Sequence, residues 1–135
     1  MDLQRAMAIS AAGLKAQSLR MRVVAENLAN KDSVAQTPDG QPYRRKVVTF
    51  RDAMDREMGA HTVKVDRVTV DNSPFEKAYM PGHPAADAQG YVLKPNVNSI
   101  IEASDMKEAQ RSYEANLNAV EAAKTLTMRT IDLLR

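Results

Sequence analysis

Cysteine and tryptophan are both absent from this chain of 135 residues, and two phenylalanines and four tyrosines hold its aromatic fraction to 4%. The missing thiols exclude disulfides, Cys-ligated zinc and thiol chemistry together, while remaining compatible with any redox compartment. Scarce aromatics matter for packing, because each large ring buries on the order of 150–250 Å². The hydrophobic fraction of 44% leans instead on Ala, Val, Leu and Met, residues better suited to helix seams than to a concentrated core. The length fits one ordinary domain.

Long apolar runs are also missing. Nothing approaches the roughly 20 residues that span a bilayer, so no direct membrane insertion is expected. The opening Met1-Asp2-Leu3-Gln4-Arg5 continues into alanine-rich sequence broken by Lys15, Arg20 and Arg22, without the apolar stretch of a cleavable secretory signal. These signals alone point to the cytosol, but an export route that reads no cleavable signal would leave no mark in them. Charge of one sign is scarce too: the net charge is +2 and the pI about 9.0, with both signs mixed along the chain. Nucleic-acid binders gather positive charge on one face, and Arg44-Arg45-Lys46 is too short a run to do so. It reads as a charged strand face or an intersubunit ion-pair site, and no nucleic-acid partner is expected.

All six prolines lie between Pro38 and Pro95. Proline costs a helix interior roughly 3 kcal/mol through its lost donor and its clash with the preceding turn, so the two proline-free ends read as helices. The chain divides into an N-terminal helix (1–30), an irregular strand and loop middle (31–97) and a C-terminal helix (98–135). The class is mainly α with a small irregular β middle, the long terminal helices packing on each other or on neighbouring subunits as a coiled-coil-like bundle in a helical assembly.

Met7, Leu14, Met21 and Leu28 recur every seven residues, with Leu3, Ser10, Gln17 and Val24 between them, the spacing of a coiled-coil stripe. Ser10 and Gln17 dilute that seam, and Gly13 costs about 1 kcal/mol relative to Ala. Asn30 is expected as a left-handed C-cap. In the middle, Val47 to Phe50 read as strand and Arg51 to Met58 as one or two helical turns. Valines at 63 and 65, then at 68 and 70, slip phase by one residue, which implies a β-bulge or a tight turn at Asp66-Arg67. Beyond, Ser73-Pro74, Met80-Pro81-Gly82, His83-Pro84 and Lys94-Pro95 punctuate a long loop. Ser99-Ile100-Ile101-Glu102 reads as a capping box opening the second helix. That helix carries one stripe through Met106, Ala109, Tyr113, Leu117, Val120, Met128 and Ile131, and a second through Ala115, Ala119, Ala122, Leu126 and Leu133. Two stripes imply at least two neighbours.

Catalysis needs a convergent set of groups, and His61, His83, Asp66, Asp71 and Asp87 are scattered. His83 and Asp87 have the spacing of two metal ligands, but Pro84 breaks the helical geometry such a pair requires, and two ligands make no site. A solvated or turn-stabilising histidine is the expected role. No phosphate loop, nucleophile elbow or HExxH helix is present, so no enzyme, cofactor or metal is expected. Asn27, Asn30, Asn116 and Asn118 need a reason to sit in or near helices, since Asn forms helices poorly. Capping is one reason, and amide bonding that fixes register between packed helices is the other.

At these residues the chain resembles the flagellar rod, hook and hook-associated axial proteins, whose N-terminal Ala-x-Asn-Leu-Ala-Asn signature is matched by Ala25 to Asn30. Pro42-Tyr43-Arg44-Arg45-Lys46, Ser73-Pro74-Phe75, Tyr79-x-Pro81-Gly82-His83-Pro84, Gly90-Tyr91-Val92, Pro95-Asn96-Val97-Asn98 and Arg111-Ser112-Tyr113-Glu114-Ala115-Asn116 resemble the proximal rod proteins of the FlgC type. The resemblance runs through the whole chain in order. It implies a structural subunit of the basal-body rod in the periplasmic space, exported uncleaved by the flagellar type III apparatus. Its partners would be copies of itself, other rod proteins and the basal-body ring or adaptor proteins. With the periodicity it nominates an assembly interface of Met7, Leu14, Met21, Asn27, Leu28, Asn30, Tyr113, Asn116, Leu117, Val120, Met128 and Ile131. The competing readings are a self-contained adaptor in which the two ends pair as a helical hairpin, and another member of the rod and hook family.

Overall fold

The computed structural model describes residues 2–135; Met1, the first residue of the expected N-terminal segment, lies outside them. Helix α1 spans Leu3–Ala29, and Asp2 caps it by accepting from the N–H of Gln4 at 3.0 Å. Strands β1 (Lys46–Asp55) and β2 (Ala60–Val70) form an antiparallel hairpin. A second antiparallel pair joins β3 (Glu76–Tyr79) to β4 (Tyr91–Lys94), and α2 then runs from Ser99 to Leu133. Two long helices thus flank small antiparallel sheets.

The helices pack antiparallel on each other. Asn27 near the end of α1 bonds to Glu102 near the start of α2, Arg20 pairs with Asp105 and Glu108, and Gly13 lies against Asn116. A Cβ on Gly13 would fall 2.6 Å from the Asn116 amide, so the glycine permits close helix approach and is more than a helix-weakening residue. Between these points Ala16, Val23, Val24 and Ala109 are buried, and Ala123 is buried two turns beyond Asn116. Small side chains let the axes approach, and burial at about 25 cal/mol per Å² supplies what local propensity does not. Gln17, on the diluted seam, has its amide oxygen buried without a partner among the described residues, at a cost of about 1–3 kcal/mol.

The β1–β2 hairpin runs back along α1. It starts where Lys46 meets Asn27, and its turn brings Gly59 beside Arg5. Asp55 shapes that turn by accepting from the N–H groups of Glu57 and Met58, and Gly59 takes φ +64°, a conformation glycine adopts without steric cost. The ladder shifts between Thr49 and Phe50, which face Arg67 and Val65, leaving Asp66 as the extra residue of β2. The valine phase slip marks this bulge.

Three local expectations are corrected. Arg51 to Asp55 continue β1 instead of turning into helix, because β2 offers a full ladder and pairing outweighs a short stretch's local preference. Asn30 closes α1 at φ −105°, outside the left-handed region; its amide instead donates to the Glu26 carbonyl at 2.9 Å. The cap of α2 is Asn98, whose Oδ1 accepts from the N–H groups of Ile100 and Ile101 at 3.0 and 3.4 Å; Ser99 is the first helical residue and Glu102 points into the protein. The proline-marked loop also contains the β3–β4 ribbon, with its prolines outside the strands where no ladder donor is lost. Tyr79 and Tyr91 stack edge to face across the ribbon at 5.4 Å, and Gly90, at φ +88°, turns the chain back beside them.

Candidate assembly surface

The expected interface residues separate into those used inside the chain and those facing out. Asn27 is buried, and all its bonds are internal. Its Nδ2 donates to the Lys46 carbonyl at 2.8 Å and to Glu102 Oε2 at 3.2 Å, while its Oδ1 accepts from the Tyr43 hydroxyl at 2.7 Å and the Lys46 N–H at 2.9 Å. One amide side chain therefore ties α1 to the start of the hairpin and to α2.

Glu102 is 0% exposed. It accepts from Arg45 Nε as well as from Asn27, and Arg45 reaches Asp71 and Asp105, each at 3.3 Å. Burial works against the Arg45 charge, but its bonds to Glu102 and Asp71 and the charge of Asp105 hold the guanidinium above its ordinary pKa. The Ser73 hydroxyl and N–H, bonded to Oδ1 at 2.5 and 2.8 Å, with Arg45 beyond, lower the Asp71 carboxyl below its ordinary range. Burial and the neighbouring Glu26 carboxylate raise the Tyr43 hydroxyl. Asn96 accepts from the Arg45 N–H at 2.7 Å and donates to the carbonyls of Asp71 and Ser73. Lys46 pairs with Glu26 at 2.5 Å, and Arg44 stacks on Phe75 at 4.3 Å. The basic run is thus consumed by intrachain contacts that moor the middle to both helices.

Sequence reasoning did not single out Glu102, Asp71, Asp105 or Asn96 for this network. Glu102 had a signal: it stands seven residues before Ala109, on the stripe through Ala109 and Tyr113, where a charge must find a partner once buried.

The remaining nominated residues differ in access. Met7, Leu14, Met21 and Leu28 on α1, and Tyr113, Asn116 and Val120 on α2, are half-buried. Asn116 donates to the carbonyl of Ser112 in its own helix, and Asn30 caps α1. Leu117, Met128 and Ile131 are exposed, and so is the whole second stripe, from Ala115 to Leu133. The helices differ in length, roughly 40 Å against 52 Å at 1.5 Å per residue. By their antiparallel register, Leu3 comes level with Leu126. The last two turns of α2 therefore run past α1, with Met128 56%, Ile131 48% and Leu133 86% exposed.

The histidines are turn and strand residues. His83 Nδ1 accepts from the Ala85 N–H at 3.0 Å, and His61 pairs with Asp52 on the exposed hairpin face. Asp87 accepts from the N–H groups of Tyr91 and Gln89, bonds that hold its carboxyl below the ordinary range. No helix among the described residues is long and apolar enough to cross a membrane.

Known proteins share this chain's pattern along its length. A family model described as the C-terminal part of the flagellar basal body rod FlgEFG proteins matches residues 88–133, which include all of α2. Flagellar basal-body rod protein FlgC of Agrobacterium fabrum is 48% identical over 98% of this chain and 96% of that protein. The proteins of the same name from Salmonella typhimurium and Bacillus subtilis are 44% and 39% identical over 93% of this chain, covering 92% and 93% of their own lengths. At these identities over nearly the full length, the chain belongs to the FlgC family of flagellar basal-body rod proteins.

Proposed function

We propose that this chain is a structural, non-enzymatic subunit of the proximal rod of the flagellar basal body. In this reading residues 1–30 and 98–135 build a coiled-coil-like helical tube that transmits torque and bounds the export channel, and residues 31–97 form the outward or axial contact element. The type III apparatus exports the chain uncleaved to the periplasmic space, where it meets its own copies, other rod proteins and the ring or adaptor proteins.

One observation carries the reading within this family: among the described residues, α2 leaves an entire apolar stripe and its last two turns exposed. Exposed apolar surface of that extent marks an interaction site. A contact between unlike surfaces that does not close generates a helical filament. Leu117→Asp and Ile131→Asp test the proposal. Both sites are exposed, so each variant should fold and be exported while rod incorporation and swimming fail. Working rods built from either variant would remove these residues from the interface.

The adaptor reading draws on the intrachain pairing of α1 with α2. It places the partner on the middle segment and requires no contact between copies, so α2 stripe variants should then swim normally.

A further inference from the structure

Between α1 and β2 lies an open groove of about 560 Å³, floored by Ala12, Leu19 and Val63 and rimmed by Lys15, Arg22 and Lys64. None of these three cations forms an ion pair among the described residues. Lys64 also stands directly opposite Arg51 in the ladder, a like-charge cross-strand pair that is destabilising without an anion to answer it. The groove is apolar at its floor and cationic at its rim, and no anion among the described residues answers it.

The complement is on the outer side of α2. Glu114, Leu117 and Glu121 share one side of that helix at i, i+3 and i+7; all three are exposed, and neither carboxylate has an ion-pair partner among the described residues. The spacings match. Lys15 and Arg22 are seven residues apart on α1, as are Glu114 and Glu121 on α2, so each pair is separated by about 10.5 Å along its axis at 1.5 Å per residue. Leu19 lies between the cations as Leu117 lies between the carboxylates. The chain's own α2 cannot fill the groove, because Glu102, Ala109 and Ala123 already hold its inner face against α1.

We infer that the groove receives α2 of a second copy, Leu117 entering against Ala12 and Leu19 while Glu114 and Glu121 meet Lys15 and Arg22. The two surfaces are unlike, so the contact propagates from copy to copy. The inference rests on the polymerising reading above and adds which surface meets which.

A chain without cysteine allows an unambiguous test. Ser18→Cys, on the groove wall, and Leu117→Cys are co-expressed as separate copies, and intact basal bodies are isolated and oxidised. A disulfide-linked dimer is expected from the mixture, and none from either variant alone or from Ser18→Cys mixed with Glu57→Cys at the hairpin turn. No dimer in basal bodies that contain both variants overturns the groove assignment and leaves the rod reading standing. Basal bodies lacking even the unmodified chain overturn the rod reading itself. A Ser18→Cys adduct with a different protein overturns the second-copy assignment. Charge reversal decides the matter where a cysteine variant fails to assemble. K15E/R22E and E114K/E121K should each reduce the motile fraction at least tenfold, and their combination should recover most of it. No recovery in the combination overturns the inference.

Discussion

Glu102 is a carboxylate without solvent access, held by one guanidinium and one amide. Removing a charge from water costs several kcal/mol, and its partner's attraction offsets this only with good geometry and further hydrogen bonds. Here Asn27 supplies the further bond, while Asp71 and Asp105 hold Arg45 in place. The arrangement makes the single and double substitutions diverge. Arg45→Met leaves the buried carboxylate unpaired and should lower stability by about 3–5 kcal/mol in urea unfolding. R45M/E102M removes both charges and should cost less than R45M alone. A double variant as unstable as the sum of the singles would mean that the two groups are uncoupled, and would sink the stranded-charge argument.

At the scale of elements, the proline-free ends and the valine phase slip made the helices and the bulge legible, because periodicity and backbone chemistry are local. The α2 cap was misplaced by one residue because Ser99 and Glu102 carry a local capping signature, while a distant guanidinium holds Glu102 elsewhere. The β3–β4 ribbon was hidden for the same reason: Glu76 to Tyr79 and Tyr91 to Lys94 are short, and only their pairing across a proline-marked turn makes them strands. The candidate surface was readable as stripes, but which stripe the chain keeps for itself depends on how α1 and α2 meet. Gly13 decides how closely they meet. Gly→Ala in a helix should gain about 1 kcal/mol from propensity, yet its Cβ would lie 2.6 Å from Asn116. Gly13→Ala alone should therefore be neutral or destabilising. In an Asn116→Ala background it should stabilise by about 1 kcal/mol. Equal effects in both backgrounds, measured as a double-mutant cycle, would sink the close-approach argument.

For the whole molecule, the consequence is an uneven distribution of stability. The buried network around Asn27, Arg45 and Glu102 joins the end of α1, the start of the hairpin and the start of α2 at one end of the helical pair. At the other end, α2 extends beyond α1 with its leucines exposed. A helical segment of about two turns is marginal in water without packing, and fixing its backbone costs roughly 1–2 kcal/mol per residue. Its amides should therefore open far below the free energy of global unfolding. Hydrogen exchange on the isolated chain at micromolar concentration should find residues 16–27 and 102–113 slow and residues 124–133 fast, with the second group slowing once the chain is incorporated into a rod. Uniform protection through Leu133 in the lone chain would mean that α2 needs no neighbour to be ordered. The exposed stripe would then be an interface on a finished helix and not one that ordering completes.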